Sequence, residues 1–251
     1  MDIDCRFKTA LLSQAKAGDI GHYDRLKSCC VMAKSFASLQ GGIAVVSDIL
    51  SDKSFIYSGS FGMTLGFDAE MEIDSAFEEA VFSFIDPEDL LDRHILELRY
   101  MELIKSLPVQ ERSDYVQSSK VKIHAGGTVV PIIHQTRYLE VTESGNINIG
   151  LCTYLPVGLN LAEAFDGHIF NLKTGLPLSV GQLHSVDDKI LTPRERGILS
   201  LLSKGLASKQ IASKLNLSLN TVYRHRQNIL QNLNAANTAE AVRIGLKMRF
   251  V

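Results

Sequence analysis

Long polar and basic side chains are concentrated near the C-terminus, in the sequence SLNTVYRHRQN at residues 218–228. Arg, Asn and Gln side chains can pair with base edges, whereas Ser and Thr hydroxyls, Lys and a helix N-terminus can hold phosphates. Apolar residues recur at helical spacing and predict one buried stripe: Val222, Ile229, Leu230 and Leu233. The other sides of this helix carry groove-reading residue types: Tyr223, Arg224, Arg226 and Gln227. The pattern predicts a helix that lies in a DNA major groove.

Four helices are expected to position these side chains. Residue types that commonly cap helices stand where three of the helices begin: Thr192, Ser208 and Ser218. The first helix has Pro193 at its first position, the second ends at Asn216, and the third covers residues 218–233. A fourth helix begins near Thr238. Because only a few residues join the second and third helices, the pattern is typical of a helix-turn-helix.

Charge is distributed unevenly along the 251 residues, although the formal net charge is only −2. Residues 189–251 contain 11 Lys and Arg against two acids, Glu195 and Glu240, so they carry +9 and leave −11 on the rest of the chain. A basic segment of this density can displace the counterions of a nucleic acid. The acidic remainder is large enough to form a separate domain.

Composition argues against several other classes. The four cysteines show no metal-ligand or disulfide-scaffold spacing, so we expect reduced thiols and no metal site. The chain shows no signal-peptide pattern and no run of about 18 apolar residues, so we expect a cytoplasmic protein without a membrane partner. It also contains no GxSxG, P-loop, GxGxxG or HExxH motif, so we expect no enzymatic activity.

The C-terminal segment resembles the DNA-binding domain of LuxR/NarL-type transcriptional regulators, through LTPRE at 191–195, KQIA at 209–212 and TVYRH at 221–225. The resemblance implies that Tyr223, Arg224 and Gln227 face bases. It also implies phosphate contacts at or near Lys209, Thr221 and His225, and a last helix that can pair subunits. The full set of candidate DNA contacts is Lys209, Ser218, Asn220, Thr221, Tyr223, Arg224, His225, Gln227 and Asn228.

Two of these candidate contacts have structural alternatives. Thr221, at the start of a helix, can act as a cap, and His225 can be a packed or solvent-facing ring. Glu195 is expected to be structural, complementing its own helix N-terminus or orienting a neighbouring cation.

Upstream of the basic segment, the spacing of apolar residues changes several times. Residues 1–40 predict two helices, the second ending at Gly41 and Gly42. Two runs predict a β-hairpin, 42–49 and 54–59, and Pro87 begins a long helix over residues 88–107. Further extended runs are expected at 114–125, 127–142 and 147–157, followed by a small ribbon at 167–180 and a linker at 185–188.

This order resembles a PAS domain over roughly residues 35–158, with the family's recurring turns at Leu65-Gly66, at residues 85–89 and at Gly126-Gly127. The resemblance implies either a small ligand in the core or an empty domain that dimerises, and both alternatives stay open. No cofactor is identified: His94 is the candidate axial ligand if haem is bound, and His124 and His134 are expected to be exposed. Cys29 and Cys30 are expected to be buried thiols.

The predicted fold class is α+β, with a PAS-like antiparallel sheet and helices followed by an all-α, four-helix helix-turn-helix domain. Four segments are expected: a helical lead-in (1–40), a PAS-like domain (41–165), a ribbon and linker (166–188) and a DNA-binding domain (189–251).

The predicted function is sequence-specific regulation of transcription, with helix 218–233 in the major groove. The expected partners are double-stranded DNA, a second copy of the chain and RNA polymerase. Two alternatives remain. The basic domain could dock an acidic protein partner, or the acidic body could be an enzyme with a DNA-targeting tail.

Overall fold

An antiparallel β-sheet with helices on both faces forms the compact unit that ends at Leu178. The computed structural model describes Leu12 and residues 21–157 and 167–251. The strands are β1 (Ile43–Asp48), β2 (Lys53–Ser58), β3 (Glu70–Ile73), β4 (Tyr115–Ala125), β5 (Thr128–Val141), β6 (Ile147–Pro156) and β7 (Gly167–Asn171). The helices are α1 (His22–Gln40), α2 (Ser60–Thr64), α3 (Glu79–Phe82) and α4 (Pro87–Ser106), followed by a 3₁₀ helix at Val109–Asp114. The first helix expected in residues 1–40 and the boundary at residue 165 fall outside the described residues.

The strand order is β3-β2-β1-β6-β5-β4-β7, with every neighbouring pair antiparallel. The predicted succession of two strands, helices and three strands is confirmed, as is the tight turn at Gly126 and Gly127, where φ is +54° and +82°. Both edge strands of the sheet, β3 and β7, differ from the sequence prediction. β3 was not predicted, although its sequence Glu-Met-Glu-Ile alternates as a half-exposed strand does. β7 pairs with β4 as well as forming part of the expected ribbon.

Strand β1 is buried on both faces of the sheet. Ile43 and Val45 face a core that includes residues of β2, β4, β5 and α3. Ala44 and Val46 face the opposite way, toward α1, where Ala33 is among the buried residues of the helix. Small residues on a helix allow its backbone to approach the strand closely. The predicted second N-terminal helix is therefore present, and it packs on the sheet, whereas the sequence assigned it to a separate lead-in.

Helix α4 begins as the sequence predicted. Asp86 caps it by accepting a hydrogen bond from the Glu88 amide at 3.0 Å, and Pro87 occupies the first position. Its buried face includes apolar residues such as Leu91 and Ile104, and also the charged residues Asp89, Arg93 and Glu97.

Residues 179–251 belong to a second compact unit, and five helices are described within this range. They are α5 (Val180–Ile190), α6 (Pro193–Ser203), α7 (Ser208–Leu215), α8 (Leu219–Asn232) and α9 (Thr238–Lys247). The four helices expected after residue 189 are α6 to α9, and the α+β class is confirmed. No helix in the described ranges is long and apolar enough to cross a bilayer.

Two local predictions in this unit are wrong. Residues 185–188, expected as a linker, lie inside α5, whose N-terminus is capped by Ser179 accepting from the Gln182 amide at 3.3 Å. Ser208 does not cap α7, because it lies in the first turn with its hydroxyl turned into the domain. The amide of Ala207, at the cap position, is satisfied instead by Gln210 Oε1 at 2.8 Å.

Replacing Gly42 with Ala should destabilise the sheet domain by about 2 kcal/mol or more, since overpacking against rigid atoms is costly. An added Cβ would overlap the carbonyl oxygen of Tyr154, a backbone atom that cannot move aside by changing rotamer. Gly150→Ala is the matched control, because its Cβ would meet only Ser47 and Tyr138 side-chain atoms at 3.8 and 3.9 Å. Urea unfolding measures both, and equal stabilities of the two variants would contradict the prediction.

Candidate functional site

Helix α8 is held in place by a cap at its start and a buried stripe along one side. Ser218 Oγ accepts a hydrogen bond from the Thr221 amide at 3.1 Å. Val222, Ile229 and Leu233 are at most 2% exposed, and α8 contacts both α6 and α7. The turn before α8 passes through Asn216, whose φ of +53° is one that Asn tolerates. The predicted helix and most of its apolar stripe are confirmed.

Opposite this stripe, the residues predicted to read bases face solvent. Tyr223 is 49% exposed, and Arg224 and Gln227 are exposed as well. Among the other predicted contacts, Lys209 near the start of α7, Ser218 and Asn220 are exposed, whereas Thr221, His225 and Asn228 are half-buried. In a helix-turn-helix, exposed polar side chains on the N-terminal half of the second helix are the ones that contact the major groove.

Thr221 and His225 have partners inside the domain. The Thr221 hydroxyl lies 2.8 Å from that of Ser218, so both take part in the start of α8. His225 Nδ1 lies 4.0 Å from Glu195 Oε1 and has no hydrogen-bond partner among the described residues. Glu195 is 4% exposed and structural as expected, since its Oε2 accepts from the Thr192 amide at 3.0 Å and hydroxyl at 2.8 Å.

Arg226 is the exception among the residue types expected to read the groove. It is half-buried, and its guanidinium donates to Ser208 Oγ at 2.6 Å and to Thr238 Oγ1 at 2.8 Å. Helical periodicity alone could not distinguish it from its exposed neighbours, because its partners lie on two other helices.

A second candidate site is a buried polar cluster inside the N-terminal unit. Arg93 of α4 is 2% exposed, and its Nη1 lies 3.0 Å from Glu97 Oε2 while Nη2 lies 3.4 Å from Glu78 Oε1. Its Nε donates to His134 Nε2 at 3.3 Å, and the Tyr154 hydroxyl donates to Glu78 Oε1 at 2.9 Å. Buried charges persist when they are paired and hydrogen-bonded in this way.

Burial determines the protonation of two members of this cluster. It holds the pKa of His134 well below its ordinary value by disfavouring the imidazolium, and the nearby Arg93 cation acts in the same direction. Burial also raises the pKa of the Cys152 thiol well above its ordinary value. His134 is therefore a neutral acceptor for Arg93, and Cys152 is a thiol. The expectation that His134 is exposed is wrong, because its ring faces the core at 0% exposure.

The same cluster contains three groups with the spacing of metal ligands. Ligand atoms of Glu78, His134 and Cys152 lie within 4.8 Å of one another. However, nitrogen atoms of Arg93 lie within 3.3 to 3.9 Å of a ligand atom of each residue. A guanidinium is permanently charged, so it repels a metal cation from this position and already occupies these lone pairs. The three residues do not fit a metal.

Further buried polar groups on this face of the sheet have no hydrogen-bond partner within the part of the chain that the structure describes. Among them are the side-chain amide of Gln117 and the hydroxyl of Tyr138, both buried. Gln117 pairs in register with Thr136, two residues from Tyr138 on the same strand. Unpaired buried polar groups are costly, so binding of a polar molecule that formed hydrogen bonds to Gln117 and Tyr138 would be favoured.

His94, the candidate haem ligand, is 9% exposed and lies edge-on to the Phe82 ring with 5.8 Å between centroids.

A capped helix-turn-helix with a polar outer helix face is the architecture of DNA-binding regulatory proteins. The model of the family described as "Bacterial regulatory proteins, luxR family" matches residues 189–244. The "Uncharacterized response regulatory protein YgeK" of Escherichia coli (strain K12) is 41% identical over 138 residues, which cover 53% of this chain and 92% of that protein. The chain therefore belongs to the luxR family of bacterial regulatory proteins.

Other similar proteins match a shorter part of the chain or have a lower sequence identity. The "Oxygen regulatory protein NreC" of Staphylococcus carnosus (strain TM300) is 41% identical over 63 residues, which cover 25% of this chain and 29% of that protein. The chain thus spans under a third of the length of several curated relatives that it matches. The structure titled "Crystal structure of the phage VqmA-DPO complex" has a TM-score of 0.30 and 17% identity, covering 92% of each chain. That TM-score is too low to show a shared arrangement.

The neutral, buried His134 should make the sheet domain less stable as pH falls. An unfolded His takes up a proton near pH ~6.5, whereas the folded-state pKa of His134 is depressed, so below that pH the unfolded chain binds more protons. The unfolding equilibrium constant should then rise by up to roughly tenfold per pH unit from this residue. His134→Gln should remove that contribution, whereas His124→Gln, which removes an exposed ring, should keep it. Chemical unfolding between pH 5 and 7.5 measures the slopes, and equal slopes in all three proteins would refute the assignment.

Proposed function

We propose that this chain is a sequence-specific DNA-binding regulator of transcription in which α8 lies in the major groove. The observation that carries the proposal is the division of α8 into two sides. Val222 and Ile229 are buried against the domain, while the residues suited to base recognition, Tyr223, Arg224 and Gln227, are exposed. Membership in the luxR family supports the same function.

The proposed contacts divide by chemistry. Tyr223, Arg224 and Gln227 face base edges, because Arg and Gln offer the paired hydrogen-bonding groups that distinguish bases. The remaining predicted contacts hold phosphates or the adjacent backbone: Lys209, Ser218, Asn220, Thr221, His225 and Asn228. The formal charge of +9 on residues 189–251 adds attraction that does not depend on sequence.

We further propose that the protein acts as a cytoplasmic homodimer without catalytic activity. Two copies would present two α8 helices to half-sites about one helical turn apart, 34–36 Å along the duplex. Residues 189–251 would serve as the DNA-binding domain and residues 41–165 as the PAS-like body, with RNA polymerase as a further partner. The −11 charge of the remaining chain would keep that body from competing for DNA.

The N-terminal unit is proposed to bind a small polar molecule in its core. The unpaired groups of Gln117 and Tyr138 support this role, since they offer both hydrogen-bond donors and acceptors in a buried place. The alternative is a domain that only dimerises. Native mass spectrometry of the purified protein distinguishes them, because a bound molecule adds mass to the dimer and an empty domain does not.

The DNA-binding proposal predicts different effects for Arg224 and Lys209. A random duplex library selected with the wild-type protein provides the preferred site. Arg224→Ala should then cost a factor of about 10 to 100 on that site and relax the preference at one position, as losing a base contact does. Lys209→Ala should weaken binding to all duplexes about equally and reduce the slope of log affinity against log salt by about one.

The outcome of the duplex selection also tests the alternative functions. If the wild-type protein enriched no sequence, the base-reading assignment would be wrong. Binding to an acidic protein with the same salt dependence as to DNA would favour a protein-docking role for the basic domain.

A further inference from the structure

We infer that Arg226 is a positioning residue that fixes the orientation of α8 by joining it to the first turns of both α7 and α9. This inference rests on the proposed DNA-binding function and adds a residue that does not itself contact DNA. It concerns how the DNA-reading helix is aimed relative to the other helices of its domain.

The contacts of Arg226 connect three helices through one side chain. Its Nη1 donates to Ser208 Oγ at 2.6 Å on α7, and its Nη2 donates to Thr238 Oγ1 at 2.8 Å on α9. The guanidinium is planar and its donors have a fixed angle, so two bonds to different helices constrain both the distance and the rotation of α8. Ser208 is 7% exposed, which places this end of the connection inside the domain.

Electrostatic attraction does not explain this arrangement. Both hydroxyl partners are neutral, and Ser208 and Thr238 are each the first residue of a helix. The N-terminus of a helix carries partial positive charge, which disfavours a nearby cation. Hydrogen-bond geometry is therefore what Arg226 supplies, and a Lys at the same position would keep the charge without the paired donors.

The position of Arg226 on α8 separates it from the predicted base contacts. Arg224 precedes it by two residues, which is a rotation of about 200° around a helix. Arg224 accordingly faces solvent while Arg226 is half-buried toward α7 and α9.

The charge-conserving variant Arg226→Lys tests this inference on the selected duplex and on a scrambled duplex of equal length. We expect the affinity for the selected duplex to fall about tenfold, the effect of losing one hydrogen bond to a charged group. Affinity for the scrambled duplex and the salt slope should stay unchanged, because the number of charges is the same. Arg224→Lys makes the same substitution at a proposed base contact on the exposed side of the helix, and it is compared with Arg226→Lys in the double-mutant cycle.

A double-mutant cycle separates positioning from direct contact. Thr238→Val removes a hydroxyl that bonds Arg226, so its loss of discrimination should not add to that of Arg226→Lys. The losses of Thr238→Val and Arg224→Lys should add, since those side chains act separately. Ser208→Ala provides a second single variant, and urea unfolding of every protein confirms that each remains folded during the binding measurement.

Three outcomes would overturn the inference. They are unchanged discrimination in Arg226→Lys, simple addition of its effect to that of Thr238→Val, and a salt slope that drops as for a phosphate contact. If the wild-type protein itself does not discriminate between the duplexes, the proposed function fails and this inference fails with it. Discrimination by the wild type together with an unaffected Arg226→Lys variant overturns the positioning role alone.

Discussion

The burial of one stripe of α8 is the constraint on which the C-terminal domain depends. Val222, Ile229 and Leu233 are removed from water, and this fixes which way the helix is rotated. Once that rotation is fixed, Tyr223, Arg224 and Gln227 face solvent. The hydrophobic effect thus selects the face of the helix that can be presented to DNA, and hydrogen bonds at the helix ends refine its direction.

The N-terminal unit is held together differently, because it places a charged network where an apolar core would be expected. Arg93 joins Glu97 and Glu78, and His134 remains a neutral acceptor beside it. Such a network is costly to desolvate and holds only when every charge is paired. The described residues contain one group with the spacing of metal ligands, Glu78, His134 and Cys152, and it belongs to this network. The Arg93 guanidinium contacts all three residues and supplies the positive charge there.

Much of the structure could be predicted from local patterns. Thr192 and Ser218 cap helices as their residue types indicate, Gly41 ends α1 with φ of +71°, and Gly126 with Gly127 forms a two-residue turn. These features depend on backbone conformations that a few adjacent residues determine. The short edge strand β3 was missed because four alternating residues give a weak signal that pairing with β2 completes.

The sequence by itself determined the helix-turn-helix, the order of most strands and helices, and the polar set on α8, because each follows from short-range periodicity, capping and turn chemistry. Only the tertiary structure decided the roles of individual polar residues. Arg226 and Arg224 are the same residue type two positions apart, yet one meets Ser208 and Thr238 while the other faces solvent. His134 and His124 flank the same turn, yet one is buried and the other exposed. The physical reason is that partners distant in sequence set burial and hydrogen bonding, and no local pattern specifies them.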